Sequence, residues 1–273
     1  MNVCAIGVRF GNMAHPKIGI GFLALAPMRE EPSDRAEMVN QLLFGETFEI
    51  LEVAPKWMRI RLHHDRYEGW IDRLQVCPIS EDFLAMLNQT PKAYASDPVH
   101  LLRGQEPTDY PMVVQGSILP LKDGPTIRLE NKSYDYDGHA IHGVKNREAL
   151  VDFAFSYLNA PYLWGGRSPF GIDCSGFTQM VYRLTGYNIP RDASQQAKVG
   201  QTLSFLEECE PGDLAFFDNV EGNITHVGIV LENYNIIHAS GRVRVDGLDH
   251  SGIYNSELNR HTHKLRVLKR ILP

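Results

Sequence analysis

The stretch Gly171-Ile172-Asp173-Cys174-Ser175-Gly176-Phe177 marks the point where a glycine-containing loop turns into a helix. Apolar residues continue from Phe177 to Leu184 at helical spacing, and Gly186 is the residue type that commonly follows a helix C-terminus. A cysteine in the first turn faces unpaired backbone N–H groups and the positive end of the helix dipole, and both favour the thiolate. The stretch therefore predicts a reactive Cys174 whose pKa lies below the value of about 8.5 for a free cysteine.

The segments on both sides of this stretch indicate an α+β fold. Upstream, Asn146 can cap a helix whose apolar residues recur at helical spacing until Pro161 stops it. Downstream, strand-like runs joined by links of hairpin length cover residues 213–217, 225–231, 235–239, 243–245 and 265–268. Helices followed by a run of strands predict helices packed on an antiparallel sheet, in a domain of residues 144–273.

Two histidines on neighbouring predicted strands could serve Cys174. His226 alternates with Gly228 on one face of its strand, and the glycine leaves room beside the imidazole. His238 follows on the next strand, so a short hairpin can place it beside His226, where it would accept the other N–H of that ring. The order predicts a papain-like arrangement with Cys174 as nucleophile, His226 as base and His238 as the orienting residue.

The cysteines and histidines also permit interpretations other than catalysis. A lone cysteine at a helix start or a lone strand histidine is usually structural. A zinc site made of the same three residues is disfavoured because the flanking Gly and Ser suit a nucleophile better, so we predict no metal and no cofactor. His261 and His263 are expected to be exposed. The four cysteines, at positions 4, 77, 174 and 209, are far apart and are expected to be independent thiols.

Composition excludes several classes of protein. The 273 residues are 43% hydrophobic and 22% charged, which is typical of a globular protein of one to three domains. The net charge of −6 provides no basic field, so nucleic acid is not an expected partner. No apolar run reaches the roughly 20 residues of a membrane helix, so we predict no membrane span. The predicted location is the cytoplasm, or the periplasm or cell exterior if a leader has been removed.

The N-terminal half has a sequence pattern typical of short strands. Residues 20–78 contain short alternating segments separated by Gly45, Pro55 and Gly69, which predicts a small β-barrel or sandwich in a domain of residues 1–78. Ser80 can cap a short helix, and strand-like pieces follow it to about residue 140. Residues 79–143 are therefore predicted to be a second small domain or a linker.

The C-terminal region resembles the NlpC/P60 family of cell-wall cysteine peptidases over about residues 146–270. The resemblance rests on the motifs at residues 161–166, 173–176, 211–214, 226–228 and 238–240. It implies the same roles for Cys174, His226 and His238, and it implies that Tyr162 helps to stabilise the oxyanion. Enzymes of this family hydrolyse the bond between γ-D-glutamate and a diamino acid through an acyl-enzyme.

Residues 20–78 resemble bacterial SH3-like (SH3b) domains, and residues 35–42 and 67–70 match the branch in which this domain shapes the active site. That resemblance implies that Glu37 and Tyr67 hold the free amino group of an N-terminal L-alanine. An ionised carboxylate is a suitable partner for a desolvated ammonium group. The family motifs also imply four positions that contact substrate: Trp164, Asp173, Ser175 and, with a possible shift of one residue, Ser194.

The predicted function is hydrolysis of L-Ala-γ-D-Glu-diamino acid tripeptides or tetrapeptides with a free N-terminus, as occurs in murein peptide recycling. One alternative is an endopeptidase that remodels polymeric peptidoglycan, with the SH3-like regions as wall anchors. Another is a non-catalytic module that binds wall peptides, and the same triad could also perform acyl transfer or amidase chemistry. The sequence makes no prediction about oligomeric state or the preferred diamino acid.

Overall fold

The structure is a computed structural model that describes residues 17–106 and 109–272. Contacts within the chain define two compact units, and the division falls between Gly143 and Val144. We call the N-terminal part unit 1 and the C-terminal part unit 2. Among the described residues, no helix combines the length and the apolar character that crossing a membrane requires.

Unit 1 begins with a seven-stranded antiparallel sheet in the order β3-β2-β6-β5-β4-β1-β7. Alternation places Met58, Ile60 and Leu62 in the core while Arg59 and Arg61 face outward. This is the SH3-like region that the sequence predicts. Its strands are β1 (Ile18–Gly21), β2 (Leu25–Arg29), β3 (Met38–Leu43), β4 (Thr47–Val53), β5 (Trp57–Leu62), β6 (Glu68–Asp72) and β7 (Val76–Pro78).

The rest of unit 1 contains one helix and short paired strands. Ser80 caps α1 (Glu81–Gln89) by accepting a hydrogen bond of 3.1 Å from the Phe83 N–H, as predicted. The pairs are β8 with β13, β9 with β10 and β11 with β12. These strands are β8 (Ala93–Ala95), β9 (Val99–Leu101), β10 (Met112–Val114), β11 (Thr126–Leu129), β12 (Lys132–Asp135) and β13 (Ala140–His142).

One hydrophobic core is shared by both parts of unit 1. Ile20 of β1 and Cys77 of β7 pack in the same buried cluster as Phe83 of α1 and Val113 of β10. The predicted division between residues 78 and 79 therefore runs through a continuous core, and the second domain stays a prediction. Cys77 is disulfide-bonded, so the expectation of four independent thiols is wrong for this residue. Cys174 and Cys209 are free thiols.

Unit 2 begins with helices that the sequence anticipates well. Asn146 caps α2 (Arg147–Ser156) through its side-chain oxygen, as predicted. A short hairpin of β14 (Arg167–Ser168) and β15 (Gly171–Ile172) leads into α3 (Cys174–Leu184), which begins at the predicted cysteine. Every residue of α3 is buried, so it forms the central helix of the unit. The single-turn helix α4 (Ala193–Gln196) was not predicted.

The helices of unit 2 pack on an antiparallel sheet in the order β16-β22-β17-β18-β19-β20-β21, which confirms the predicted α+β class. The long strand β22 also pairs with β21, so six of these strands close on themselves. The strands are β16 (Gln201–Leu203), β17 (Leu214–Asp218), β18 (Ile224–Leu231), β19 (Asn235–Ser240), β20 (Arg242–Asp249), β21 (Gly252–Asn255) and β22 (Arg260–Arg270). The sequence misses β16, β21 and the greater part of β20 and β22.

Candidate active site

Cys174 lies at the junction of α3 and β18. It is the first residue of α3, its side chain is buried, and α3 packs against β18. Backbone N–H groups of Ser175 and Val227 form hydrogen bonds to the thiol sulfur. Because Val227 directly follows His226, the sulfur lies beside the backbone of the strand at the predicted base. The structure therefore brings together two residues that are 52 positions apart in the sequence.

Asp173 determines where α3 begins. Its Oδ1 atom accepts a hydrogen bond of 2.6 Å from the Gly176 N–H, which is the N-cap geometry, and its Oδ2 atom accepts one of 2.8 Å from the Gly165 N–H. The guanidinium of Arg191 donates to both oxygens, at 3.0 and 2.5 Å, and also to the Ser175 hydroxyl at 2.9 Å. Asp173 and Ser175 are thus held by internal partners, and their contact with substrate stays a prediction.

The sequence reasoning missed Arg191. Its side chain is only 2% exposed although an arginine in a loop after a proline is usually solvated. Its burial depends on the pairing with Asp173, which lies 18 residues away. No local pattern reveals that pairing.

The two histidines of the predicted triad are in direct contact. Nε2 of His226 lies 2.8 Å from Nδ1 of His238, and both side chains are buried. Gly228 is the register partner of His238 on the neighbouring strand. A Cβ atom at Gly228 would lie 2.9 Å from the Cβ of His238 and 2.7 Å from Ile236. The strand therefore needs glycine at this position if His238 is to sit beside His226.

A third histidine lies against this pair. The ring of His263 stacks on that of His226, with centroids 4.1 Å apart and planes inclined by 25°. The expectation of an exposed His263 is therefore wrong. The reason is the closure of the sheet, because the pairing of β22 with β21 and β17 brings this part of β22 over His226.

Asp246 extends the chain of contacts beyond His238. Its Oδ2 atom lies 3.0 Å from Nε2 of His238, and its Oδ1 atom accepts a hydrogen bond of 2.9 Å from Arg244. Asp246 is buried on β20. The sequence reasoning missed it because the predicted strand ended at Val245. The alternation of Arg244 and Asp246 on one face of a longer strand is the signal that could have found it.

Burial sets the pKa values of the buried thiol and its neighbouring base. Burial, and then the charge of Asp173, raises the pKa of Cys174 to about 12, and the backbone N–H groups offset this only in part. Burial, assisted by His238 and His263, lowers the pKa of His226 well below 6.5. The predicted lowering of the thiol pKa is therefore wrong, because the β18 strand covers the helix terminus and removes water. A proton passed from Cys174 to His226 leaves the net charge of the pair unchanged.

Tyr162 lies close enough to Cys174 for their charges to interact. Burial raises the pKa of Tyr162 to about 12, and the charges of Cys174 and Asp173 add to the effect. Its hydroxyl is therefore a hydrogen-bond donor at neutral pH. Trp164 and Ser194 are exposed residues of unit 2.

The remaining predicted site residues belong to unit 1. Glu37 is an exposed residue directly before β3, and Tyr67 is partly buried directly before β6, where it packs on the core of the sheet. Their predicted contact with substrate stays a prediction. Within the described residues, no group of three or more His, Cys, Asp or Glu side chains is arranged to hold a metal ion.

Comparisons with known proteins assign both parts of the chain. Residues 159–266 match the NlpC/P60 family, and residues 28–75 match the bacterial dipeptidyl-peptidase Sh3 domain. The chain is 29% identical to a gamma-D-glutamyl-L-lysine dipeptidyl-peptidase of Bacillus subtilis (strain 168), over 73% of this chain and 71% of that protein. It is also 29% identical to dipeptidyl-peptidase 6 of Lysinibacillus sphaericus, over 82% of this chain and 89% of that protein.

A crystal structure of an NlpC/P60 family protein from Bacillus cereus ATCC 10987 has the same fold. Its TM-score is 0.80 at 20% identity, over 94% of this chain and all of that chain. The chain therefore contains a peptidase domain of the NlpC/P60 family, over residues 159–266. Within that family, it joins the catalytic domain to a bacterial SH3 domain, and it is homologous to gamma-D-glutamyl-L-lysine dipeptidyl-peptidases. Both resemblances inferred from the sequence are confirmed.

Proposed function

We propose that this peptidase cleaves the γ-D-glutamyl bond to a diamino acid in murein peptides, with Cys174, His226 and His238 as a catalytic triad. The observation that carries the proposal is the arrangement of these three side chains. The backbone N–H of Val227, which directly follows His226, is close enough to the thiol to lower its pKa, and Nε2 of His226 lies 2.8 Å from Nδ1 of His238. A nucleophile, a base and an orienting group in this order are the requirements of covalent catalysis by a cysteine.

The reaction follows from the protonation states of the free enzyme. His226 is neutral and accepts the thiol proton as the Cys174 sulfur attacks the γ-carbonyl carbon of D-glutamate. Tyr162, whose hydroxyl remains protonated, donates a hydrogen bond to the developing oxyanion. The C–N bond breaks, His226 returns the proton to the amine of the departing diamino acid, and a thioester remains on Cys174. Water, deprotonated by His226, then hydrolyses the thioester and restores the thiol.

The substrate class is proposed from the homologues and from unit 1. Two homologues are named gamma-D-glutamyl-L-lysine dipeptidyl-peptidases, and a dipeptidyl-peptidase acts on a chain with a free N-terminus. Glu37 is exposed and can bind an ammonium group, with Tyr67 as its partner in that role. The substrate would then be L-Ala-γ-D-Glu-diamino acid, as a tripeptide or tetrapeptide already detached from glycan. Recycling of these peptides is the corresponding proposed role.

Replacement of the two free cysteines tests the proposed nucleophile. Cys174→Ala is expected to abolish hydrolysis of the free tripeptide, because no other group can form the thioester. The matched control is Cys209→Ala, since Cys209 is the other free thiol of the described residues and lies outside the triad. The control should keep at least half of the wild-type kcat/KM. Turnover by Cys174→Ala, in protein with an unchanged circular dichroism spectrum, would contradict the mechanism.

A further inference from the structure

We propose that Asp246 is a positioning residue that fixes the tautomers of His238 and His226, so that a bare nitrogen of His226 faces the thiol. The inference rests on the proposed triad and adds a fourth residue to it. Asp246 does not touch the reacting atoms, and it would act only through the imidazole of His238. Its effect is therefore on where protons reside before the reaction begins.

The proton positions follow from the chain of contacts, one ring at a time. A neutral imidazole has one N–H donor and one bare acceptor nitrogen. The carboxylate of Asp246 can only accept, so Nε2 of His238, 3.0 Å away, carries the proton. Nδ1 of His238 is then bare and accepts the N–H of His226 Nε2 across 2.8 Å. The remaining nitrogen of His226, Nδ1, has a lone pair and can receive the Cys174 proton.

This sequence of donors holds only while Asp246 is ionised. Burial alone would raise the pKa of Asp246, but the hydrogen bonds from His238 and Arg244 outweigh it and hold the pKa below its usual range. Arg244 is itself fixed by Glu257, whose carboxylate accepts a hydrogen bond of 2.9 Å from it. Among the described residues, the charged or titratable groups around the histidine pair thus include Cys174, Asp246, Arg244, Glu257 and the stacked His263.

Asp246→Asn is expected to reverse the donor and acceptor roles in the hydrogen bonds that link His226, His238 and residue 246. Arg244 donates a hydrogen bond to Oδ1 of Asp246, whereas its Nε atom lies 2.8 Å from Oδ2 without forming a hydrogen bond. The amide oxygen is therefore expected to occupy the Oδ1 position and the NH2 group to face His238. Nε2 of His238 must then be the bare nitrogen, and its proton moves to Nδ1. Because Nδ1 of His238 now donates, Nε2 of His226 must accept, and the proton of His226 lies on its Nδ1 atom. Nδ1 of His226 can then no longer receive the thiol proton. The variant has the shape of the wild type and the wrong tautomers.

The same substitution in the Ser-His-Asp triad of serine proteases lowers kcat by about 10⁴ through the wrong tautomer. Here the carboxylate acts through a second imidazole, so we expect a smaller fall of kcat, on the order of 10² at neutral pH. KM for the free tripeptide should change less than about threefold, because no substrate contact is removed. Asp249→Asn is the matched control, since Asp249 lies on the same strand β20 but is exposed and contacts His261 instead of His238, and its kcat should stay within about twofold.

Nitrogen NMR of the histidine side chains tests the proposal without any substrate. Wild-type protein with ¹⁵N-labelled histidine should show His238 protonated at Nε2, and Asp246→Asn should show it protonated at Nδ1. This result and the fall in kcat together support the positioning role. A wild-type His238 protonated at Nδ1, or an unchanged tautomer in Asp246→Asn, would overturn it. If the tripeptide proves not to be a substrate, the proposed function fails while the tautomers still decide the role of Asp246. If Asp246→Asn does not fold, the wild-type spectrum alone decides.

Discussion

At the scale of single residues, the protonation of Cys174 and His226 depends on how deeply both are buried. The thiol is 6% exposed and its pKa is raised to about 12, while the pKa of His226 is lowered well below 6.5. The sequence correctly places the cysteine at the helix terminus, which alone would favour the thiolate. It does not show that β18 covers that terminus. Desolvation therefore outweighs the helix dipole in the free enzyme.

This protonation state predicts the acid limb of the pH profile. His226 must be neutral to accept the thiol proton, and a lowered pKa means that it is protonated only well below pH 6.5. As pH falls, kcat/KM for the free tripeptide should therefore stay level through 6.5 and decline only below it. His250→Gln, which removes an exposed histidine of the same unit, should give the same profile. An acid limb centred at or above pH 6.5 would contradict the assignment of His226 as a buried neutral base.

Gly228 tests the geometry of the histidine pair. Gly228→Ala would place a methyl group 2.9 Å from the Cβ of His238, so His238 must move away from His226. Displacement of an orienting group by about 1 Å can cost on the order of 10²-fold in rate, and we expect kcat to fall by at least tenfold. Gly247→Ala is the control, because Gly247 lies on β20, two strands from Gly228, and the atom nearest to the added methyl is 3.8 Å away. Equal kcat values for the two variants would show that the contact between the histidines is not needed.

At the scale of secondary-structure elements, α3 is fixed by a buried ion pair at its first turn. Asp173→Ala removes the N-cap and the carboxylate that pairs with the buried Arg191 guanidinium at 2.5 Å. Breaking a buried pair in this way typically destabilises a protein by about 3–5 kcal/mol. Asn146→Ala removes only the cap of α2, which typically costs about 1 kcal/mol. Urea unfolding of the two variants measures the difference, and equal losses would show that the pair with Arg191 adds nothing to the cap.

Capping residues and strand alternation, which are visible in short stretches of sequence, correctly predict where several helices and strands lie. The caps Ser80, Asn146 and the cysteine-bearing turn at Asp173 are visible in the sequence, and the helices begin where these residues stand. The strands of His226 and His238 follow from alternation, and so does their pairing through a short hairpin.

The residues that were missed depend on contacts between distant segments. Asp246 and His263 reach the site only because β20 is longer than its apolar core suggests and β22 closes the sheet. Arg191 is buried because it forms an ion pair with Asp173. The periodicity of residues within one segment does not reveal such contacts between distant segments.

At the scale of the whole molecule, the two units have separable proposed roles. Unit 2 contains the proposed triad, and unit 1 contains Glu37 and Tyr67, which we propose select a free amino terminus. N-acetylation removes the positive charge that Glu37 would bind, so the acetylated tripeptide should be hydrolysed at least ten times more slowly than the free peptide. Glu37→Gln should lose most of this discrimination. The exposed Glu52 of the same unit provides the control variant Glu52→Gln, which should retain it. Equal rates for the two peptides in wild-type protein would contradict the selection proposal.

The products of one hydrolysis test the central claim most directly. L-Ala-γ-D-Glu-diamino acid is incubated with the enzyme and the products are identified by mass spectrometry. The proposed mechanism predicts only the dipeptide L-Ala-γ-D-Glu and the free diamino acid, in equal amounts, because the Cys174 sulfur attacks the γ-carbonyl carbon. Release of free alanine, or an intact tripeptide alongside digested polymeric peptidoglycan, would contradict it.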